Sequence, residues 1–179
     1  MRPSGPESGL TVSLKCGEQA DWTFTFSGIL GYSDAMDDSP LENLTPLPSS
    51  AQNRCFGCGL QNPVGLQLKF LATETGAAVA FVTLSDCYEG PVGYLHGGIL
   101  ATLLDEVMSK SIRATGVAGV TRSLEIEYLR PVPSNSSIRL EAHLDRREGR
   151  KFFTRGKILS ADGTTLATGK ALFIEVRGH

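Results

Sequence analysis

The stretch ILATLLDEVMSKSIRAT, residues 99–115, excludes most architectures open to this chain. Its apolar positions Ile99, Leu100, Leu103, Leu104, Val107, Met108 and Ile112 recur at helical spacing. They cover more than half the circumference, wider than the stripe a surface helix turns to its core. The spacing predicts a buried helix with strands wrapped around it. Gly116 is placed to stop it.

Strand signals lie on both sides of this helix. LQLKFLAT (66–73) and AAVAFVTLS (77–85) read as two strands joined at Glu74-Thr75-Gly76. After the helix, Leu124, Ile126 and Tyr128 alternate with Ser123, Glu125 and Glu127 in 122–130. In 137–145, Ile138, Leu140, Ala142 and Leu144 alternate with Arg139, Glu141 and His143. Such period-two patterns belong to half-buried antiparallel strands. Segments 151–160 and 164–176 flank Asp162-Gly163, a hairpin signal. Pro133-Ser134-Asn135 and Glu148-Gly149 supply the remaining turns. The order is two strands, one long helix, four strands. One helix covers little of so large a sheet, so the economical arrangement is α+β: a curled antiparallel sheet around one central helix, the outline of a hotdog fold.

The 179 residues suggest one domain. Residues 1–50 read as a loosely structured extension and 51–179 as the folded domain. Within the extension, Trp22, Phe24 and Phe26 alternate with Thr23 and Thr25 as an isolated short strand. The net charge of -2 gives no broad basic surface for nucleic acid. No apolar run reaches the roughly 20 residues of a membrane span. MRPSGPESGL lacks the apolar stretch of a secretory signal. The expected compartment is the cytoplasm, with Cys16, Cys55, Cys58 and Cys87 as free thiols.

Chemistry concentrates at Leu95-His96-Gly97-Gly98, directly before the helix. The first N–H groups of a helix lack internal partners and carry partial positive charge. With glycines admitting close approach, such a site can stabilise a developing oxyanion. The alternative is a plain loop-to-helix turn with His96 as a solvent-facing cap. Asp105 lies at the edge of the apolar surface, where an unpaired carboxylate is costly. It reads as a general base or nucleophile, or as a solvated acid. Glu106 has Lys110 four residues on as an ion-pair partner. Gly97 and Asp105 are eight residues apart, about 12 Å along a helix. They reach one carbonyl most easily if Gly97 of one chain meets Asp105 of another across a two-fold axis. The expected assembly is a homodimer or a dimer of dimers.

His-Gly-Gly followed by Ile-Leu-Ala-Thr-Leu-Leu-Asp-Glu resembles the helix motif of hotdog-fold acyl-CoA thioesterases. The likeness is to the thioesterase-superfamily-member type of long-chain enzymes and to phenylacetate-pathway-like thioesterases. It runs from about Cys55 to Val176. It takes in Cys55-Phe56-Gly57-Cys58-Gly59, Asn62-Pro63, Glu125-Ile126-Glu127-Tyr128 with Arg130-Pro131, and Glu148-Gly149-Arg150-Lys151-Phe152-Phe153. The resemblance implies that Asp105 is catalytic, that His96 and Gly97 polarise the carbonyl through the Gly97 amide, and that Thr121 positions water or the carboxylate. Gly98, Arg150 and Lys151 are the expected substrate contacts; the cluster Arg146, Arg147, Arg150 and Lys151 reads either as cations toward coenzyme A phosphates or, more commonly for such a cluster, as a solvated hairpin. Phenylacetate-type enzymes have an Asn six residues before the His; here that position is Gly90.

The implied function is hydrolysis of acyl-CoA to free acid and coenzyme A, with acyl-CoA the expected partner and no cofactor needed. Two alternatives stay open: a non-catalytic acyl-CoA-binding sensor, and an acyl-thioester hydratase or dehydratase. Cys55-x-x-Cys58 resembles half a zinc ribbon, but no second pair follows, and a packed loop is the expectation. His143 and His179 are expected in solvent.

Overall fold

Helix α1 runs from Gly97 to Arg113, two residues ahead of the apolar pattern at both ends. The computed structural model describes residues 41 and 43–176, and the backbone of Gly9–Leu14 and Asp21–Thr25. Phe26, Cys16 and His179 lie outside the described residues. Leu100, Leu103, Leu104, Val107, Met108, Ser111 and Ile112 of α1 are buried. Ile99 is only half-buried. The helix stops as expected: Gly116 takes a left-handed φ of 83° and its amide closes on Arg113 O.

The strands are β1 (Gly9–Leu14), β2 (Asp21–Thr25), β3 (Thr45–Pro46), β4 (Leu71–Ala72), β5 (Ala78–Leu84), β6 (Gly119–Tyr128), β7 (Ser137–Glu148), β8 (Lys151–Ser160) and β9 (Thr165–Glu175). They form one sheet in the order β2-β1-β5-β7-β8-β9-β6, with β3 and β4 branching from β5. All pairings are antiparallel except β1 with β5. The sheet curls around α1, which makes it a hotdog fold. The alternation expected in β7 holds: Ile138, Leu140 and Ala142 are buried between partly exposed neighbours. The hairpin turns also fall where expected, with left-handed backbone at Gly149 and Gly163.

One strand differs from expectation. Leu66, Leu68 and Phe70 are all buried, as their alternation requires. Yet only Leu71–Ala72 enters the ladder. Gln67 adopts φ of 47°, which breaks the extended run. The Leu66 and Leu68 amides donate instead to Phe56 O and Gly57 O, at 2.7 and 2.8 Å. This segment therefore closes a loop over residues 55–59.

The sheet meets the helix through missing side chains. Ala142, Gly156, Gly169 and Ile126 line up in register across β7, β8, β9 and β6. A Cβ on Gly156 would sit 2.9 Å from Met108 Cγ, and one on Gly169 3.1 Å from Met108 Cε. The paired glycines are the hollow into which Met108 sinks, and burying such a side chain contributes about 1.5–3 kcal/mol. The opposite face of α1, with Gly98, Thr102, Asp105 and Ser109, is left only partly covered or exposed.

Candidate active site

The turn before α1 is assembled by backbone bonds: His96 N–H donates to Tyr88 O at 2.8 Å and Leu95 N–H to Val132 O at 2.9 Å. His96 is the N-cap, its Nδ1 accepting from Gly98 N–H at 2.9 Å. The alternative weighed for His96, a cap exposed to solvent, thus describes its place. Capping does not use up the ring, however. Because Nδ1 accepts, the neutral imidazole carries its proton on Nε2 and keeps that donor for a ligand. Gly90, which stands at the Asn position of the phenylacetate pattern, lies against the ring: a Cβ there would be 3.3 Å from His96 Cδ2.

Gly98 donates to His96, and Ile99 and Leu100 donate to His96 O. Among the described residues no acceptor meets the Gly97 amide. It is a helix-terminal N–H without an internal partner, the kind of group that can receive a developing negative charge. Tyr128 Oη donates to Gly97 O at 2.9 Å, tying the end of β6 to this turn. The sequence pattern gave Tyr128 no site role, placing it as an inward strand residue within the shared motif at 125–128; it is half exposed.

Two turns along, Asp105 Oδ1 accepts from Thr121 Oγ1 at 2.7 Å. Thr121 reaches it from the start of β6, just before the register shift between Thr121 and Ser123. Burial raises the Asp105 carboxyl above its ordinary value of 3.8; the Thr121 hydrogen bond pulls it down, and Glu106 adds to the rise. A half-desolvated carboxylate held by one hydroxyl is a capable base. Gly97 and Asp105 are both on α1 and so remain about 12 Å apart within one chain.

Glu106 turns away from this pair. Its Oε1 accepts from Cys55 Sγ at 2.9 Å, while Lys110, the partner expected from spacing, sits at 4.0 Å. Burial, then the Glu106 hydrogen bond, pushes the Cys55 thiol up to about 11, so it is no nucleophile at neutral pH. His143 does not simply face water; its Nε2 lies 2.9 Å from Asp145 Oδ1.

Arg150 and Lys151 lie at the β7–β8 turn, near the Thr121 end of the sheet: Thr121 pairs with Phe173, Phe173 with Phe152, and Lys151 precedes Phe152. Arg150 Nη2 donates to Glu175 O at 2.8 Å, and Arg147 pairs with Glu175 at 3.1 Å. Arg146 stacks on Phe153 with 3.6 Å to the ring centroid. Lys151 is exposed. No helix among the described residues is long and apolar enough to cross a membrane.

The thioesterase superfamily model matches residues 92–167, which include His96, Gly97, Asp105 and Thr121. Acyl-coenzyme A thioesterase THEM5 of Homo sapiens is 32% identical over 171 residues, covering 82% of this chain and 69% of the relative. Acyl-coenzyme A thioesterase THEM4 of Bos taurus is 33% identical over 130 residues, covering 70% of this chain and 53% of the relative. The chain thus spans about half the length of the first curated relatives it matches, or less. A solved structure of a thioesterase superfamily protein, 33% identical, superposes with a TM-score of 0.64 over 68% of this chain and 60% of that one.

Proposed function

The chain belongs to the thioesterase superfamily, and from that premise we propose that it hydrolyses acyl-CoA to a free acid and coenzyme A at two equivalent sites of a homodimer. The hydrogen bond from Thr121 to Asp105, on the uncovered side of α1, is the observation that carries the reading. Asp105 takes a proton from water, whose oxygen attacks the thioester carbon, or attacks that carbon itself to form an anhydride. The oxygen of the tetrahedral intermediate receives the Gly97 amide and the His96 Nε2–H. Collapse breaks the C–S bond: on the water route the thiolate leaves with the proton that Asp105 holds, and on the anhydride route it takes a proton from solvent and a water then cleaves the anhydride to the free acid and the Asp105 carboxylate. Thr121 keeps the carboxylate aimed. Arg150 and Lys151 stand toward the coenzyme A phosphates, and Gly98 flanks the thioester.

The dimer follows from distance. About 12 Å along one helix keeps Gly97 and Asp105 from easily reaching one carbonyl, whereas antiparallel α1 helices across a two-fold axis would set Gly97 of one chain beside Asp105 of the other. Among the described residues β6 ends the sheet with an unpaired edge. Val120, Tyr128 and Leu129 leave it with exposed apolar surface. Residues 51–179 form the catalytic domain in this reading, with 1–50 an extension of it.

Thiol release from short, long and aromatic acyl-CoAs tests the proposal. Asp105→Asn should lower kcat by about 10²–10⁴-fold in a folded protein. Undiminished turnover in that variant refutes the role of Asp105. Acyl-CoA binding without turnover in the wild type replaces the enzyme with a binding module. Heavy oxygen entering the Asp105 carboxylate in a single turnover in labelled water identifies the anhydride route.

A further inference from the structure

Cys55 and Cys58 take no part in the chemistry above, yet the chain is shaped around them. We infer that Cys55, Cys58 and Glu106 form a binding site for a soft divalent transition cation of the Zn²⁺ class, separate from the thioester site. The inference does not rest on the proposed hydrolysis.

Their three ligand atoms lie within 4.8 Å of one another. A tetrahedral centre with bonds of about 2.0–2.3 Å needs donors roughly 3.5–3.8 Å apart, so small side-chain rotations complete the set. The loop that presents the thiols is wound tightly. Cys55 N–H donates to Asn53 Oδ1 at 3.0 Å, and Gly59 N–H to Cys55 O at 2.8 Å. A Cβ on Gly57 would fall 2.2 Å from Glu106 Cγ and push that side chain away, and one on Gly59, just past Cys58, would fall 2.5 Å from Cys55 N. The first absence lets the carboxylate of α1 reach the thiol loop, and the second lets the loop fold back on itself.

A second observation points the same way. Lys110 Nζ lies 3.0 Å from Cys58 Sγ and 4.0 Å from Glu106 Oε2, so the donors already draw a positive charge. A metal ion would displace the ammonium, which also stands 5.5 Å from the Phe70 ring centroid, from the donors. A cavity of about 320 Å³ adjoins the cluster, lined by Asn53, Ser109 and Lys110 among others. It leaves the fourth position to water. Binding makes two metal–sulfur bonds and one metal–oxygen bond, and the thiol protons go to solvent. The ion would tie the 53–59 loop to α1 one residue beyond Asp105.

The test uses the full chain in a phosphine reductant. Zn²⁺ retained through gel filtration is measured by mass spectrometry, and Co²⁺ is titrated by absorption. The expected result is about one ion per chain, with sulfur-to-cobalt charge transfer and the strong visible bands of a tetrahedral site. Cys55→Ser and Cys58→Ser should abolish it. Glu106→Gln should weaken Zn²⁺ binding about 10–100-fold, and Lys110→Ala should strengthen it. If the cysteine variants misfold by circular dichroism, the last two carry the test. No retained metal, with both thiols freely titratable, overturns the inference. So does Co²⁺ without charge transfer, or Zn²⁺ affinity unchanged by Glu106→Gln. A Lys110→Ala chain that loses stability and gains no affinity shows a loop held by lysine alone.

Discussion

At the scale of single residues, one carboxylate and one imidazole are asked to do two things each. Asp105 is half-buried and takes one hydrogen bond, from Thr121. Its carboxyl is raised by burial and lowered by Thr121. A base works ionised, so activity should fall as pH drops through that raised value. Thr121→Val removes the lowering bond. The acid limb of kcat/KM should therefore move to higher pH, and the plateau should fall roughly 10–100-fold, since a hydrogen bond to charge is worth about 1.5–3 kcal/mol. The profile is best recorded in chelator, so that Glu106 carries no metal; a limb that stays in place separates Thr121 from Asp105. His96 both caps α1 and offers Nε2–H. His96→Asn keeps a cap acceptor and should retain the melting temperature while losing turnover. His96→Ala should lose turnover and also about 1 kcal/mol of stability. Equal turnover in His96→Asn and wild type would reduce His96 to a cap.

At the scale of elements, the seat of the helix decides what faces the substrate. Met108 is held between Gly156 and Gly169, which turns Asp105 to the open side. Gly156→Ala should destabilise the fold by about 1–3 kcal/mol, through overpacking against a fully buried side chain. Combining it with Met108→Ala should give less than the sum of the two single losses, as expected of groups in contact. Strict additivity in chemical denaturation would mean that the hollow is not what seats the helix. The two-residue β4 belongs to this scale too. Its predecessor residues were spent on closing the thiol loop rather than on lengthening the sheet.

At the scale of the whole molecule, the proposed site needs two chains. His96→Ala and Asp105→Asn chains, each inactive alone, can be unfolded together and refolded. Half of the dimers should then be mixed, each with one site holding an intact His96 and an intact Asp105. Recovery of about a quarter of wild-type activity is the expectation from random pairing. No recovery, with mixed dimers demonstrated by native mass spectrometry, would place both groups in one chain's site.

The apolar spread of residues 99–115 and the alternation in 137–145 were enough to determine a helix inside a curled sheet, because burial periodicity is a local property of the chain. His96, Gly97 and Asp105 were legible for the same reason: a helix start and an apolar edge are local. Thr121 was legible only through resemblance, since its strand pattern says nothing about a carboxylate sixteen residues away. The short β4, the glycine hollow under Met108, and the meeting of Cys55 and Cys58 with Glu106 were decided by tertiary structure alone. Each depends on which backbone amide finds which carbonyl, or on how near two distant segments can come. Those distances exist only once the sheet has closed around the helix.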